Sequence, residues 1–265
     1  MIRAQVSKAL RVVLGEDRVA GMRSAARRVD QSFRWRGRRV VESAQGTNPL
    51  LRHFEANDGR LIHKWMHYFD IYHQYFDRFR DRDIVVVEIG VSHGGSLQMW
   101  TEYFGPKAKI WGVDIDPRCQ AFEGPGIKVV VGDQGDRDFL RKLAEMVGPI
   151  DILIDDGGHM MDQQIATFEE LYSLVKIDGI YFVEDTHTSY WPKDYSGGYL
   201  KPGTFMEYAK ALVDKLNAWH SREPELVVDD FTSTTRAMHF YDSIVIFEKG
   251  AITRPGHRMT GHPSF

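Results

Sequence analysis

The chain has 265 residues, 43% of them hydrophobic, which is enough to bury a full core in one domain with an appendage. Its formal net charge of −3 provides no overall attraction for nucleic acid. Cys119 is the single cysteine, which excludes an intramolecular disulfide and fits a reducing compartment. No apolar run approaches the roughly 20 residues that span a bilayer, so we expect a cytoplasmic protein.

Residues 1–45 are predicted to form a basic helical N-terminal arm. They carry eleven Lys and Arg side chains against four acidic ones, and Val6, Leu10, Val13 and Leu14 share one face of a helix. Two interpretations remain open. The arm packs on the domain or on a partner subunit, or it lies on an anionic lipid surface and makes the protein membrane-associated.

Residues 46–82 are predicted to be a helical lead-in that begins with a turn. The segment from residue 63 to residue 79 is rich in aromatic and histidine side chains. Its approximately helical spacing predicts a stripe that faces the core, formed by Trp65, Phe69, Tyr72 and Phe76. The alternative is that polar-tipped side chains cap a pocket for a hydroxylated substrate; these are Lys64, Trp65, His67, Tyr68 and His73.

Residues 83–250 are predicted to form the main α/β domain, which begins with a buried strand at residues 84–90. A glycine turn and a helix follow this strand, as in the cradles that bind dinucleotides. The turn reads E-x-G-x-x-x-G-G-S rather than G-x-G-x-x-G, and Glu88 would repel a phosphate but suits a cationic or amino-bearing ligand. Candidate ligand contacts at this turn are Glu88, Gly90, Val91 and Ser96.

The next two strands also end in side chains that suit a nucleoside. The strand at residues 109–115 contains Asp114, which lies at the distance along the chain where an acid accepts hydrogen bonds from ribose hydroxyls. The strand at residues 127–133 ends in Asp133, and we expect this residue and Gln134 to lie where an adenine amino group is recognised.

Two further strands, which are neighbours in the predicted sheet, end in pairs of acids. Residues 150–154 lead into Asp155-Asp156-Gly157-Gly158-His159, and residues 180–183 lead into Glu184-Asp185, with a crossover helix between them. The carboxyl ends of parallel strands face one crevice, so four carboxylates and one imidazole are expected to converge. Because carboxylates this close repel one another, a bound cation is the simplest explanation.

The stretch after these acids is predicted to act as a substrate lid. Residues 188–203 are irregular and rich in glycine, tyrosine and proline, and loops of this length are usually functional or mobile. Tyr190 and Trp191 suit the stacking of a sugar ring. His187 follows the acidic pair closely enough to contact either the substrate or a group that supports the acids.

The C-terminal part is predicted to complete the sheet. A helix at residues 204–221 and a short strand or edge segment at residues 225–231 precede two β-rich runs. These runs, 237–241 and 243–248, predict a hairpin, and residues 251–265 an irregular tail. The expected fold is a Rossmann-like, doubly wound α/β domain whose mostly parallel seven-stranded sheet has one antiparallel strand.

Several of these residues together resemble class I S-adenosylmethionine-dependent methyltransferases over about residues 60–250; they are Glu88-x-Gly90, Asp114, Asp133 and the strand end at Asp155. A narrower resemblance rests on two motifs. I-D-D-G-x-H at residues 154–159, followed by V-E-D-x-x-T-S-Y-W at residues 183–191, is similar to the macrolide-sugar O-methyltransferases of the mycinamicin and macrocin type. Bacterial glycolipid and polysaccharide sugar O-methyltransferases are related to these.

The resemblance implies S-adenosylmethionine and Mg²⁺ as cofactors, a glycoside as the acceptor and a homo-oligomer as the assembly. It implies Asp156, Glu184 and Asp185 as magnesium ligands, with His159 as the general base beside Asp156. The residues expected to hold the methyl donor are Glu88, Gly90, Val91, Ser96, Asp114, Asp133, Gln134 and Asp155. The residues expected to contact the acceptor are Lys64, Trp65, His187, Tyr190 and Trp191.

The chemistry of such a transfer suits these residue types. A sugar hydroxyl is a poor nucleophile at neutral pH, whereas S-adenosylmethionine carries a good leaving group. The enzyme therefore has to supply deprotonation and in-line positioning. A hard cation chelated by adjacent hydroxyls lowers the pKa of the attacking hydroxyl, and an imidazole with an ordinary pKa of about 6.5 can accept its proton.

Three alternatives remain open. In the first, the acceptor is a catechol-like or other vicinal diol, which would also chelate magnesium. In the second, the protein is an iron-dependent hydroxylase. Such an enzyme would call for two histidines and one carboxylate as iron ligands, whereas these strand ends supply mostly carboxylates. In the third, the protein is a non-catalytic partner. Such a protein would be expected to have lost His159 or the Glu184-Asp185 pair, and both are present.

Overall fold

The computed structural model describes residues 48–265, so the predicted arm at residues 1–45 lies outside the described residues. The strands are β1 Val85–Ile89, β2 Lys109–Asp114, β3 Ile127–Val131, β4 Ile150–Asp155, β5 Val175–Val183, β6 Thr235–Tyr241 and β7 Ile244–Lys249. The α-helices are α1 Pro49–Glu55, α2 Tyr68–Phe76, α3 Gly95–Phe104, α4 Arg137–Val147, α5 Met161–Leu171, α6 Phe205–Leu216 and α7 Asp230–Thr234. Short 3-10 helices cover Asp77–Phe79, Pro117–Phe122, Tyr172–Leu174, Thr186–Tyr190 and Ala218–His220.

The seven strands form one sheet in the order β3-β2-β1-β4-β5-β7-β6. Strand β7 runs antiparallel to both of its neighbours, and all other strand pairs are parallel. The predicted fold, including its single antiparallel strand and the C-terminal hairpin, is therefore confirmed. The strand order reverses between β1 and β4, and ligands of open parallel sheets bind in the crevice at such a reversal.

The sheet is buried on both faces because its strands are apolar at successive positions. In β4, Ile152 and Ile154 pack into one core cluster and Leu153 packs into the other. The first cluster includes side chains of α1, α2 and α3, and the second includes side chains of α4, α5 and α6. Near-continuous apolar strands are expected where helices cover both faces of a parallel sheet. Within residues 48–265, no helix is both long and apolar enough to cross a membrane.

The expected aromatic stripe is only partly a core feature. Phe69, Tyr72 and Phe76 of α2 are fully buried, as the helical spacing predicts. Trp65 is 48% exposed, because α2 begins only at Tyr68 and Trp65 lies in the preceding non-helical segment. The prediction that Trp65 belongs to the core-facing stripe was therefore wrong.

Two other expected elements also differ from the structure. Val175 precedes the strand expected at residues 180–183, in the stretch predicted to hold the crossover helix. It is instead the first residue of β5 and pairs with Ile150, and a β-branched side chain suits a strand. The short strand expected at residues 225–231 is absent from the described residues. There, Asp229 accepts a hydrogen bond from the backbone N–H of Thr232 at 3.0 Å and caps α7 instead.

Gly90 is the point where the turn after β1 meets the turn after β4. Its φ is +97°, and a Cβ atom built there would lie 1.9 Å from the carbonyl oxygen of Asp156. Both the backbone conformation and the space therefore require glycine.

We expect Gly90→Ala to lower the free energy of unfolding by at least about 2 kcal/mol, because the methyl group forces the two turns apart. Gly124→Ala is the matched control, since nothing lies within 4 Å of a Cβ at Gly124. The control should change stability by less than about 0.5 kcal/mol. Urea unfolding of both variants tests this, and equal stabilities would contradict the expected close contact.

Candidate active site

Acidic residues follow both β4 and β5, which run side by side at the reversal point. Asp155 pairs in register with Val183, and the backbone N–H of Glu184 donates to the carbonyl oxygen of Asp155 at 2.9 Å. This register brings Asp156, Glu184 and Asp185 to one end of the sheet. The expected convergence of the two acidic strand ends is therefore observed for these three carboxylates.

Lys64 places an ammonium group between two of the three carboxylates. Its Nζ lies 2.5 Å from Oδ2 of Asp156 and 3.0 and 2.9 Å from the two oxygens of Glu184. Burial alone would lower the pKa of Lys64, but the charges of Asp156 and Glu184 raise it above its ordinary value. Burial and the charge of Asp156 raise the pKa of Glu184, and the ammonium opposes that rise. Lys64 is therefore a charged partner of the acidic cluster.

Asp185 is held by a tyrosine on α2. The hydroxyl of Tyr68 donates to Oδ1 of Asp185 at 2.7 Å. Burial would raise the pKa of Asp185, but His159 and the Tyr68 hydroxyl lower it below its ordinary value. Asp185 has a left-handed backbone with φ of +52°, and so does His159 with φ of +53°. Such conformations cost about 1–3 kcal/mol in non-glycine residues and occur at functional sites.

His159 faces the carboxylates with one ring nitrogen. Its Nε2 lies 3.4 Å from Oδ2 of Asp185 and 3.9 Å from Oδ1 of Asp156. Its Nδ1 is buried without a hydrogen-bond partner among the described residues. Nε2 is therefore the ring nitrogen that faces the acids.

The donor atoms around His159 fit a divalent cation. Asp156, His159 and Asp185 each offer one ligand atom, and these atoms lie within 4.8 Å of one another. Carboxylate oxygens are the ligands that Mg²⁺ prefers, and the ammonium of Lys64 already occupies another part of the same acidic cluster. The grouping differs from the implied ligand set at one position, because Glu184 is turned toward Lys64 and His159 takes its place.

A pocket connects this cluster to the turn after β1. Its lining comprises Leu61, Ile62, His63, Lys64, Gly90, Val91, Ser92, His93, Ser96, Asp156, Gly157, His159 and Asp185. Asp114 fixes this turn in place. Its Oδ2 accepts hydrogen bonds from the backbone N–H groups of Val91 and Ser92 at 2.9 and 2.8 Å. One cavity therefore joins the glycine turn expected to hold a donor to the acids expected to hold a cation.

Part of the chain is similar to a known protein family. The FtsJ-like methyltransferase model matches residues 64–184, which run from the buried lysine to the buried glutamate of the cluster. Over these residues the chain is similar to FtsJ-like methyltransferases. The expected resemblance to S-adenosylmethionine-dependent methyltransferases is thereby confirmed.

O-methyltransferases are among the relatives of this chain. It is 39% identical over 191 residues to the 8-demethyl-8-alpha-L-rhamnosyl tetracenomycin-C 2'-O-methyltransferase of Streptomyces olivaceus, a match that covers 68% of this chain and 49% of the relative. It is 36% identical over 222 residues to the demethylmacrocin O-methyltransferase of Streptomyces fradiae, which covers 76% of this chain and 54% of that one. The chain thus spans about half the length of the relatives it matches.

A solved structure supports the same relationship. The MycE methyltransferase of the mycinamycin biosynthetic pathway, in complex with Mg and SAH, superposes with a TM-score of 0.67 and 30% identity. The match covers 77% of this chain and 54% of MycE. A second MycE structure contains Mg, SAH and mycinamycin VI.

Some residues expected to hold the methyl donor face the interior of the protein. Glu88 is fully buried and accepts hydrogen bonds from Ser96 Oγ at 2.7 Å and from Trp100 Nε1 at 2.9 Å. Asp155 is also fully buried, and it accepts hydrogen bonds from Gln134 Nε2 at 2.7 Å and from the hydroxyl of Tyr181 at 3.1 Å. Asp155 therefore does not join the cluster as expected, because its carboxylate is bonded to Gln134 and Tyr181 in the interior.

The remaining expected donor contacts line the pocket or stand at neighbouring strand ends. Gly90, Val91 and Ser96 are in the pocket lining. Asp133 follows β3 and accepts a hydrogen bond from the backbone N–H of Gly135 at 2.8 Å. Gln134 is buried, and its side chain supports the turn after β4 by accepting from the N–H of Gly158 at 3.0 Å.

Aromatic side chains form a rim near the cluster, in the segments before α2 and after β5. The ring of His187 lies 5.8 Å from that of Trp65 and 4.7 Å from that of Trp191. Burial lowers the pKa of His187, which Asp185 partly offsets. Trp65, Tyr190 and Trp191 are 48%, 46% and 39% exposed. The residues expected to contact the acceptor thus lie together, apart from Lys64, which is buried among the acids.

The sequence did not reveal the partners of two residues that support the acids. Tyr68 and Lys64 were candidates for capping a pocket, and Lys64 was also expected to contact the acceptor. The structure pairs Tyr68 with Asp185, and Lys64 with Asp156 and Glu184. A lysine followed four residues later by a tyrosine carries no signal of partners about 90 to 120 positions away. The available clue was the unbalanced charge of the acidic strand ends, which required some cation nearby.

The buried Glu88 predicts a pH-dependent stability. Burial raises its pKa to about 7, and the charge of Lys64 opposes that rise. Because the folded-state pKa lies above the usual 4.5, the folded state prefers the neutral carboxyl. Its stability therefore falls as the pH rises from about 4.5 to about 7.

We expect Glu88→Gln, which stays neutral, to gain stability relative to the wild type by about 1–3 kcal/mol between pH 5 and pH 8. Urea unfolding of both proteins at the two pH values measures this change. Glu145→Gln, an exposed substitution on α4, is the control and should show no such pH-dependent difference. If Glu88→Gln and the wild type differed in free energy of unfolding by the same amount at both pH values, the raised pKa of Glu88 would be contradicted.

Proposed function

We propose that this protein transfers a methyl group from S-adenosylmethionine to a hydroxyl of a sugar in a glycoside, with a divalent cation, Mg²⁺, at the acidic cluster. The observation that carries the proposal is that one pocket is lined both by the glycine turn after β1 and by Asp156, His159 and Asp185. A methyl donor and a hydroxyl acceptor have to meet in one such cavity. One of the relatives named above is a 2'-O-methyltransferase of a rhamnosyl tetracenomycin, which supports a glycoside acceptor.

Asp156 and Asp185 would hold the cation, with Glu184 as a further ligand. When bound, the cation would lower the pKa of a hydroxyl that it coordinates. Tyr68 fixes Asp185 by a hydrogen bond of 2.7 Å, and the backbone N–H of Asp156 donates to the carbonyl oxygen of Ile89 at 2.9 Å. Both acids are thus positioned by the fold before any ligand arrives.

His159 would accept the proton of the attacking hydroxyl at Nε2. The carboxylate of Asp185, 3.4 Å from this nitrogen, stabilises the imidazolium that then forms. The methyl donor supplies a sulfonium leaving group, so the chain's own residues need to supply only deprotonation and alignment. His159 cannot serve as a permanent cation ligand through Nε2 and as the base at the same time, so it would take the proton and leave the cation to the carboxylates.

The aromatic rim would bind the acceptor. Trp65 and Trp191 are both exposed in part, and their rings lie 5.8 and 4.7 Å from that of His187. Aromatic rings with polar neighbours suit a sugar that has both C–H and O–H surfaces. A flat catechol would stack there as well, so the acceptor experiment below includes both classes.

We expect Asp156→Ala to lose divalent-cation binding but to keep donor binding within about threefold, because Asp156 offers its carboxylate to the cation and the glycine turn is left intact. Calorimetric titration with S-adenosylmethionine and with Mg²⁺ separates the two events. Glu145→Ala, an exposed acid on α4, is the control and should bind both ligands normally. Failure of the wild type to bind S-adenosylmethionine under any condition would rule out the proposed activity.

We expect His159→Asn to slow methyl transfer by about 10²–10⁴-fold without changing donor affinity, because it removes the base. Asparagine is chosen because it tolerates the left-handed backbone at this position. The rate is followed as S-adenosylhomocysteine release and product mass, with a panel of deoxysugar glycosides and catechols as acceptors. His220→Asn, at an exposed position, is the control, and a wild-type rate for His159→Asn would exclude it as the base.

A further inference from the structure

Lys64 is an ammonium group enclosed by the same acids that are expected to bind a cation. Its side chain is 3% exposed, and that of Glu184 is 1% exposed. Nζ also lies 5.7 Å from the centre of the fully buried ring of Tyr72, on α2. The lysine is thus fixed on one side by the aromatic core and on the other by two carboxylates.

The contacts of Lys64 divide the acidic cluster into two parts. Both oxygens of Glu184 and Oδ2 of Asp156 point toward the ammonium. Oδ1 of Asp156 and the carboxylate of Asp185 face His159. Glu184 is absent from the lining of the pocket, whereas Lys64, Asp156 and Asp185 are part of it.

The charges of the cluster favour one divalent ion. Three carboxylates and one ammonium leave two formal negative charges, which a single divalent cation would balance. Any ion that bound Glu184 would have to displace the ammonium from at least one oxygen, and any ion near Asp156 would be repelled by it. Coulomb repulsion of this kind is strong at buried positions, where water screens it little.

We propose that Lys64 is a positioning residue that acts as a fixed internal cation, competing with the divalent ion for Asp156 and Glu184 and thereby keeping a single, weakly held ion. This inference rests on the proposed function, which supplies the divalent ion. It concerns the affinity of the site in the free protein and involves neither the methyl donor nor the acceptor.

The test is a calorimetric titration of the full chain with Mg²⁺ and, separately, Mn²⁺, in the absence of S-adenosylmethionine and acceptor. Lys64→Met keeps the length of the side chain but removes its charge, and it should tighten binding by at least about tenfold. Lys64→Arg keeps the charge and should leave affinity within about threefold of the wild type. Lys142→Met, at an exposed position on α4, controls for the loss of a lysine elsewhere.

Unchanged or weaker binding by Lys64→Met would overturn the inference while leaving the proposed methyl transfer intact, provided that the wild type binds the ion. If neither protein bound a divalent ion, both the inference and the cation of the proposed function would fail, although methyl transfer itself could still be assayed without it. Binding by Lys64→Met alone would support the inference, since removing the internal cation would then have exposed the site.

The uncompensated acids of Lys64→Met could prevent folding without metal, so a measurement on the wild type provides a second test. Lysine side chains labelled with carbon-13 at Cε report on their surroundings by nuclear magnetic resonance, and Lys64→Arg assigns the signal of Lys64. Displacement predicts that this signal shifts during the Mg²⁺ titration, with the same dissociation constant as the heat. A signal that stays in place while heat is released would overturn the inference.

Discussion

The compensation of negative charge at the ends of β4 and β5 is the constraint on which the site depends. Parallel pairing in register places Asp156 next to Glu184 and Asp185, and a parallel sheet offers no way to separate them. Carboxylates that are buried together are costly unless each is paired. The chain meets this cost by bringing Lys64, Tyr68 and His159 to the acids from segments that lie far away in sequence or on the following turn.

Helix α2 links that charge compensation to the hydrophobic core. Tyr72 packs against Phe76, Trp100 and Phe182, so its ring is anchored in the core cluster on one face of the sheet. The same ring lies beneath the ammonium of Lys64, and Tyr68, one turn earlier, bonds to Asp185. The positions of the charged groups are therefore set by aromatic packing, which tolerates little change in volume.

Much of the fold could be predicted from the sequence because its strongest signals are local. Apolar runs that end in glycine turns or in acids defined six of the seven strands to within a few residues, and the start of β5 was the exception, since Val175 suits either periodic pattern. The identity of the acidic cluster was also predictable, because parallel strand ends share one crevice.

The partners of individual side chains could not be predicted in the same way. Glu88 and Asp155 occupy the expected strand ends, yet each accepts two hydrogen bonds from side chains in the interior. Which face a strand-end side chain takes depends on a one-residue difference in register, and that is set by packing across the sheet. Lys64 illustrates the same limit, because its partners follow β4 and β5 and its own segment gives no indication of them.

The backbone contact between Gly90 and the carbonyl group of Asp156 makes the two turns of the pocket mechanically one unit. A ligand that moves the glycine turn must also move the backbone that carries the first acid of the cluster. If the two ligands bind as proposed, their affinities are thermodynamically linked, and the factor by which either one alters the binding of the other is the same in both directions. The two ligands would then bind cooperatively, and the close backbone contact at Gly90 would couple their sites.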